Sequence, residues 1–291
     1  METAELLKKV RKIEIKTRGL SNQIFSGEYH SAFKGRGMSF SEVRDYAYGD
    51  DIRNIDWNVT ARFNSPFVKV FEEERELTAM LLIDVSKSAY FGSTTQLKKE
   101  FITEIAAVLS FSAMNNNDKV GVILFSDHIE LFIPPKKGKK HVLRIIRELL
   151  EFEPTSTKTS LEVPLKYLTN VLKKRAIVFL LSDFGDLGYS HALNIVSRKH
   201  DIVGLKINDP RDQDIPDVGL VDFYDPELDQ VVSVDTSSAR VRKQYQQAFA
   251  EVDQYFERSF AKSGTDKIRI PTHESYINHL MRFFKKREAR R

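Results

Sequence analysis

The chain has 291 residues, of which 41% are hydrophobic and 30% charged, with a formal net charge of +4. That balance suits a folded chain with a sizeable core and excludes a disordered or fibrous one. Cysteine is absent, which excludes a disulfide framework and a thiolate metal site and fits a reducing compartment.

The opening stretch METAELLKKVRKIEIKTRGL is charged throughout and lacks the apolar run of a signal peptide. No stretch approaches the roughly 18 uninterrupted apolar residues that read as a membrane span. The expectation is a cytoplasmic chain without a transmembrane segment. An isoelectric point of about 9.0 reflects two basic runs, Lys136–Lys140 and Lys285–Arg291. Neither interleaves aromatic residues with the basic ones, so both read as solvated surface rather than a nucleic-acid groove.

In chain order, a short helix opens a polar, glycine-containing stretch that runs to about Glu74. From Leu77 the pattern becomes strand–helix alternation. Leu77–Ile83 reads as a buried strand, and Gln96–Met114 as a helix with Leu97, Phe101, Ile105 and Val108 on one face. Lys119–Ser126 is a strand followed so closely by IELFIPP that the two predict an antiparallel pair. Helices follow over Gly138–Glu151 and Leu161–Leu172, then a buried strand at Ala176–Asp183, a helix at Tyr189–Lys199 and a strand at Asp201–Ile207. VGLVDFYDPELDQVVSV predicts a hairpin, and helices near Ser238–Ala261 and Glu274–Glu288 close the chain. Apolar strands separated by amphipathic helices predict a doubly wound, mostly parallel, Rossmann-like α/β sheet. Residues 1–75 would form a polar N-terminal extension to that domain, which would occupy residues 76–291.

Several chemistries are missing from the sequence. There is no G-x-x-x-x-G-K-[ST] for ATP phosphates, no G-x-G-x-x-G after a strand, and no G-x-S-x-G elbow. HESYINH does not match H-E-x-x-H, and DVSKS has a serine where a phosphatase-type motif needs a second acid. With no nucleophile–base pair in view, the reading is a protein that is not an enzyme.

The strand ends carry the chemistry. Ligands of open α/β sheets bind beyond the carboxyl ends of the strands, at the topological switch point. Asp84 follows one buried strand and Asp183 another, and the hydroxyl-rich PTSTKTSLEVPL lies between them. Asp84, Ser86, Ser88, Thr157 and Asp183 make an oxygen-only set, which suits a hard cation such as Mg²⁺, with Mn²⁺ or Ca²⁺ as alternatives. Thr155 and Thr159 remain alternatives to Thr157. Read alone, D-x-S-x-S is also an ordinary turn before a helix.

D-x-S-x-S at Asp84, Ser86 and Ser88, then Thr157, then Asp183, resembles the metal-ion-dependent adhesion site of von Willebrand factor type A domains. GRGMSFSEVRDYAYGDDIRNIDWNVTAR, VKVFEEE and INDPRDQDIPDVGLVDFYDPE resemble the bacterial "domain of unknown function 58" proteins, over about Arg18 to Arg287. The resemblance implies a Mg²⁺-dependent protein-binding module. Its partners would be a MoxR-type AAA+ ATPase and a client protein, one of them supplying an acidic residue to the metal. Competing readings are a metal-dependent phosphoester hydrolase and a nucleic-acid-binding protein that uses the basic loop and tail. Around Trp57, the residues Arg44, Asp45, Asp50, Asp51, Arg53, Asp56 and Arg62 form either an ion-pair network or a docking surface.

Overall fold

The computed structural model describes residues 10–14, 17, 38–73, 77–87, 92, 97–225 and 230–290. In chain order the strands and longer helices are β1 (Met38–Asp45), α1 (Trp57–Phe63), β2 (Phe67–Glu73), β3 (Thr78–Asp84), α2 (Lys98–Asn115), β4 (Lys119–Phe125) and β5 (Ile129–Lys136). They continue with α3 (Lys139–Glu151), α4 (Glu162–Val171), β6 (Ile177–Ser182), α5 (Ser190–Ser197), β7 (Asp201–Asn208), β8 (Leu220–Asp225), β9 (Gln230–Asp235), α6 (Ala239–Ser263), β10 (Asp266–Pro271) and α7 (Tyr276–Glu288).

The chain divides into two compact units, residues 33–77 and residues 1–32 with 78–291. Where an extension of residues 1–75 was expected, the contacts therefore group the first helical turn with the larger unit. Val10 packs among Ala107 and Phe111 of α2 and Val142 and Ile146 of α3, and Glu14 pairs with Lys139 at 2.5 Å.

In the larger unit, six strands form one sheet in the order β10-β7-β6-β3-β4-β5. All neighbouring pairs are parallel except β4–β5, which is antiparallel as the short IELFIPP connection requires. Every residue of β6 is buried, and so is every residue of β3 after Thr78. Strands covered on both faces read as unbroken apolar runs for this reason. Phe256 and Phe260 of α6, Leu165 and Leu168 of α4 and Leu193 and Val196 of α5 pack with Met80, Leu82, Val178 and Leu180 of the sheet. Helix α2 is buried on most sides, with α3 packed on it and Phe101 meeting Tyr276 of α7 edge-on at 5.5 Å. The architecture is thus the expected mixed α/β one, with a central, mostly parallel sheet flanked by helices. Strands β8 and β9 pair separately as the predicted hairpin.

Two details differ from the expectation. Leu97 lies at the N-cap of α2 and is 42% exposed, whereas Lys98, its neighbour, is buried. Strand β10 was not expected, and it adds a parallel edge beside β7.

His200 ends the turn before β7. It is buried, and its Nδ1 accepts a hydrogen bond from the Ala176 N–H at 3.2 Å. Burial, aided by Lys199 and Arg175, lowers its pKa from 6.5 to about 4. An unfolded chain therefore binds a proton here that the folded chain refuses between about pH 6.5 and 4. Stability is expected to fall as pH drops through that window, by up to about 3 kcal/mol. His200→Asn keeps an acceptor for Ala176 and should remove this acid sensitivity in urea titrations run at several pH values. An unchanged profile in the variant would assign the sensitivity elsewhere.

The smaller unit pairs β1 with β2 in antiparallel register, with a bulge between Phe40 and Glu42. Asp56 caps α1 through the Asn58 and Val59 N–H groups. Arg44 grips Asp50 through two bonds of 2.7 and 2.8 Å, and Arg53 pairs with Asp51 at 2.7 Å. These exposed pairs set geometry more than stability. Trp57, Ile52 and Tyr48 are exposed in the same unit.

Candidate metal centre

The order of the sheet decides where a site can form. From β3 the chain moves through α2 to β4 on one side. From β6 it moves through α5 to β7 on the other side. β3 and β6 are neighbours, so the winding reverses between them and leaves a crevice at their carboxyl ends. Asp84 ends β3, and Asp183 follows β6.

The parallel register sets Ile83 beside Leu181, which brings Asp84 beside Ser182. Asp84 is buried; its Oδ2 accepts from the Ser182 hydroxyl at 2.7 Å and its Oδ1 from the Ser86 N–H at 3.0 Å. The Ser86 hydroxyl also donates to it, and Ser86 is itself fully buried. Burial, reinforced by the neighbouring Asp183 charge, pushes the Asp84 pKa up to about 6. A buried carboxylate whose ionisation a neighbouring carboxylate opposes is the environment a divalent cation relieves.

Asp183 is projected by an unusual turn. Phe184 has a φ of 57°, in the left-handed region, where a residue other than glycine is strained. Its ring is fully buried, 4.7 Å from that of Phe256 and 5.6 Å from that of Phe260. The Ser182 hydroxyl accepts the Phe184 N–H at 3.0 Å, and Asp183 Oδ1 accepts the Gly185 N–H at 3.2 Å. The aromatic anchor holds the turn, and the turn turns Asp183 to the rim.

The hydroxyl-rich loop is tied on both sides of β3. The Ser160 N–H donates to Ser126 O at the end of β4 at 3.0 Å, and the Leu161 N–H to Asp186 Oδ2 after β6 at 2.8 Å. Glu130 fastens its start, accepting from the Thr155 hydroxyl at 2.7 Å, the Thr155 N–H at 3.0 Å and the Ser126 hydroxyl at 2.8 Å. Thr155 Oγ1 also lies 2.9 Å from His128 Nε2, and His128 Nδ1 lies 2.9 Å from Asp127 Oδ1. That row has the look of a hydroxyl nucleophile with its base. The Thr155 proton, however, goes to Glu130, so the imidazole nitrogen is left to donate. Thr155 is thereby engaged in holding the loop, while Thr157 is half-buried in it.

Of the five predicted donors, the structure places Asp84, Ser86 and Asp183 at the crevice and Thr157 in the loop spanning it. Ser88 lies outside the described residues. Among the described residues, no group of three or more His, Cys, Asp or Glu is arranged to hold a metal ion. The candidate set has only two carboxylates and completes itself with hydroxyls, so it fits a hard cation through oxygen chemistry alone.

Three further residues at the rim were not among the predicted donors. Ser182 orients Asp84. Lys98, 3% exposed at the start of α2, sends its ammonium to Asp183 Oδ2 at 3.5 Å and to Asp212 at 2.8 Å. Burial works against that charge, but Asp183 and Asp212 outweigh it and hold its pKa above the ordinary value. Burial pushes Asp212 up, and Lys98 opposes that shift; the close approach of both Asp212 oxygens to the ammonium is that of an ion pair. Asp212 sits on the one-turn helix Pro210–Gln213, where it accepts the Asp209 N–H at 2.7 Å. Its position inside NDPRDQD was the available signal. Lys98 in QLKKE looks like any surface lysine.

Among known proteins, an uncharacterized protein of Mycobacterium bovis is 25% identical over 286 residues, covering 97% of this chain and 90% of its own length. The crystal structure of an aerotolerance-related membrane protein from Bacteroides fragilis is 16% identical, with a TM-score of 0.49 over 74% of this chain and 100% of that one. The conserved hypothetical protein BatB from Bacteroides thetaiotaomicron is 14% identical with the same TM-score and the same coverage of both chains. Among the described residues of this chain, no helix is long and apolar enough to cross a membrane. The family model described as "Protein of unknown function DUF58" matches residues 42–255, most of the chain, and this protein belongs to that family.

Proposed function

We propose that the chain is a protein-binding module that depends on a divalent cation held by Asp84, Ser86, Ser88, Thr157 and Asp183. The observation that carries this reading is the meeting of β3 and β6 at the reversal of the sheet, with a buried carboxylate at one strand end and a second just past the other. Asp84 and Asp183 supply the negative charge, and the hydroxyls supply neutral oxygens. Mg²⁺ is the preferred ion, with Mn²⁺ and Ca²⁺ as alternatives for the same donors. A bound ion supplies an electrophilic position that an Asp or Glu of the partner fills in place of water.

The partner we assign is a MoxR-type AAA+ ATPase working on a client protein, in keeping with the resemblance of the N-terminal signature. This chain, without a P-loop of its own, would recognise while the ATPase hydrolyses. The lack of cysteine suits work in the cytoplasm.

Two measurements test the proposal. Capture of a co-expressed MoxR-type ATPase should succeed in Mg²⁺ and fail in chelator; equal capture in both would place the interface away from the metal. In a phosphate-release assay, the isolated chain is expected to turn over neither ATP nor a generic phosphoester. Turnover that survives repurification and disappears in Asp183→Ala would overturn the non-enzymatic part of the reading.

A further inference from the structure

The five oxygen donors leave the charge at the rim unexplained. Asp84, Asp183 and Asp212 gather there with Lys98, and both Lys98 and Asp84 are buried. Three carboxylates against one ammonium leave two negative charges, the number a divalent cation cancels. Asp212 and Lys98 are thus a neutral pair added to the two-carboxylate set.

The pair is not placed symmetrically. The Lys98 ammonium lies within 2.9 Å of both Asp212 oxygens but 3.5 Å from Asp183 Oδ2. Asp212 is fixed from behind, because its Oδ2 also takes the Asp209 N–H, and Asp209 is fully buried, its carboxylate accepting from the Arg211 backbone N–H and the Thr272 hydroxyl. Asp183 accepts the Gly185 N–H with Oδ1 and turns Oδ2 toward Lys98. A buried ammonium shared between two carboxylates goes to the one that attracts it more strongly, and any cation binding Asp183 competes with it.

We propose that Lys98 is a built-in competitor for Asp183 and that Asp212 sets metal affinity by drawing Lys98 away from it. This inference rests on the metal-binding reading above and adds its regulation. Asp212 acts through Lys98 and Asp183. It is a tuning residue and not a ligand.

The consequence is a pair of substitutions with opposite signs. Lys98→Met removes the competitor and adds one net negative charge, so Mg²⁺ should bind about tenfold tighter or more. Asp212→Asn is isosteric and keeps an acceptor for the Asp209 N–H, but it removes the charge that draws Lys98 from Asp183, so Mg²⁺ should bind about tenfold more weakly. In the double variant both charges of the pair are gone and Asp84 and Asp183 keep their two negative charges, so it should bind at least as tightly as wild type. A structural role would instead weaken binding in both single variants through loss of the ion pair.

The experiment is calorimetric titration of MgCl₂ into the full chain, wild type and three variants, with thermal melts in chelator to confirm folding. Should Lys98→Met fail to fold, Asp212→Asn alone carries the test, since weaker binding by a stable isosteric variant is expected on this account. Opposite shifts support the proposal. Shifts in the same direction, or none while the wild type binds Mg²⁺, overturn it and leave the metal site standing. Absence of Mg²⁺ binding by the wild type overturns both the inference and the reading beneath it.

Discussion

Replacing Asp84 with alanine is expected to abolish Mg²⁺-dependent partner capture while leaving a folded chain. The reasons are local. Asp84 lies at the tip of β3, at the edge of the core, and among the described residues its carboxylate bonds to groups of the rim, Ser86 and Ser182. Its ionised form is disfavoured by burial and by Asp183, so the fold is not built on that charge. The substitution does leave the buried Ser182 hydroxyl short of its acceptor, at a cost of about 1–3 kcal/mol. Asp84→Asn keeps the side-chain shape and one of the two acceptor oxygens, so it should cost less than Asp84→Ala in chelator while binding no Mg²⁺. In thermal melts, added Mg²⁺ should raise the wild-type midpoint by linkage to the folded state and leave both variants unmoved. A variant that unfolds outright in chelator would make Asp84 a structural residue first. A variant stabilised by Mg²⁺ as much as wild type would place the ion elsewhere.

The second large effect is expected in the core beneath the site. Phe260 of α6 is fully buried and lies directly over Gly204 of β7, where an added Cβ would overlap the ring. Phe260 also meets Phe184, the anchor of the turn that projects Asp183, at 5.6 Å. Phe260→Ala should cost about 3–5 kcal/mol by opening a cavity. Gly204→Ala should cost about 1–3 kcal/mol by forcing the ring off the strand. Combined, the two should cost clearly less than their sum, because the methyl enters space that the ring has vacated. Urea unfolding of the four proteins measures the coupling. Strict additivity would mean that the ring and the glycine do not share that space. Because Phe184 rests on the same cluster, Phe260→Ala should also loosen the Asp183 turn.

Much of this architecture can be read from the sequence because its strands are buried on both faces. Leu77–Ile83 and Ala176–Asp183 stand out as apolar runs, and an acid at the end of each marks the place where the backbone leaves the core. Strand β10 was hidden for the opposite reason. It lies at the edge of the sheet and reads DKIRIP, with Asp266, Lys267 and Arg269 around only two apolar residues, Ile268 and Ile270. Strands β1 and β2 form a two-stranded sheet of their own in the smaller unit, so the continuous apolar pattern of the large sheet does not extend to them.

At the site, the residues that a local pattern carries were legible and those brought in by tertiary packing were not. Asp84 and Ser86 are alternating positions of one motif, and Asp183 follows a strand. Lys98 belongs to a helix whose spacing put Leu97 on the buried face, yet the side chain that turns inward is the lysine, drawn by Asp183 and Asp212 from two other loops. Ion pairing across more than 80 positions of sequence leaves no periodic trace. The candidate threonines could not be ranked from TSTKTS alone; the structure engages the Thr155 hydroxyl with Glu130.

The most direct test of the account is calorimetric titration of MgCl₂ into the wild-type chain and into Asp84→Asn. The account predicts a single saturable site in the wild type and no binding in the variant, with both proteins folded in chelator. Equal binding by the two, or none by the wild type, would contradict it.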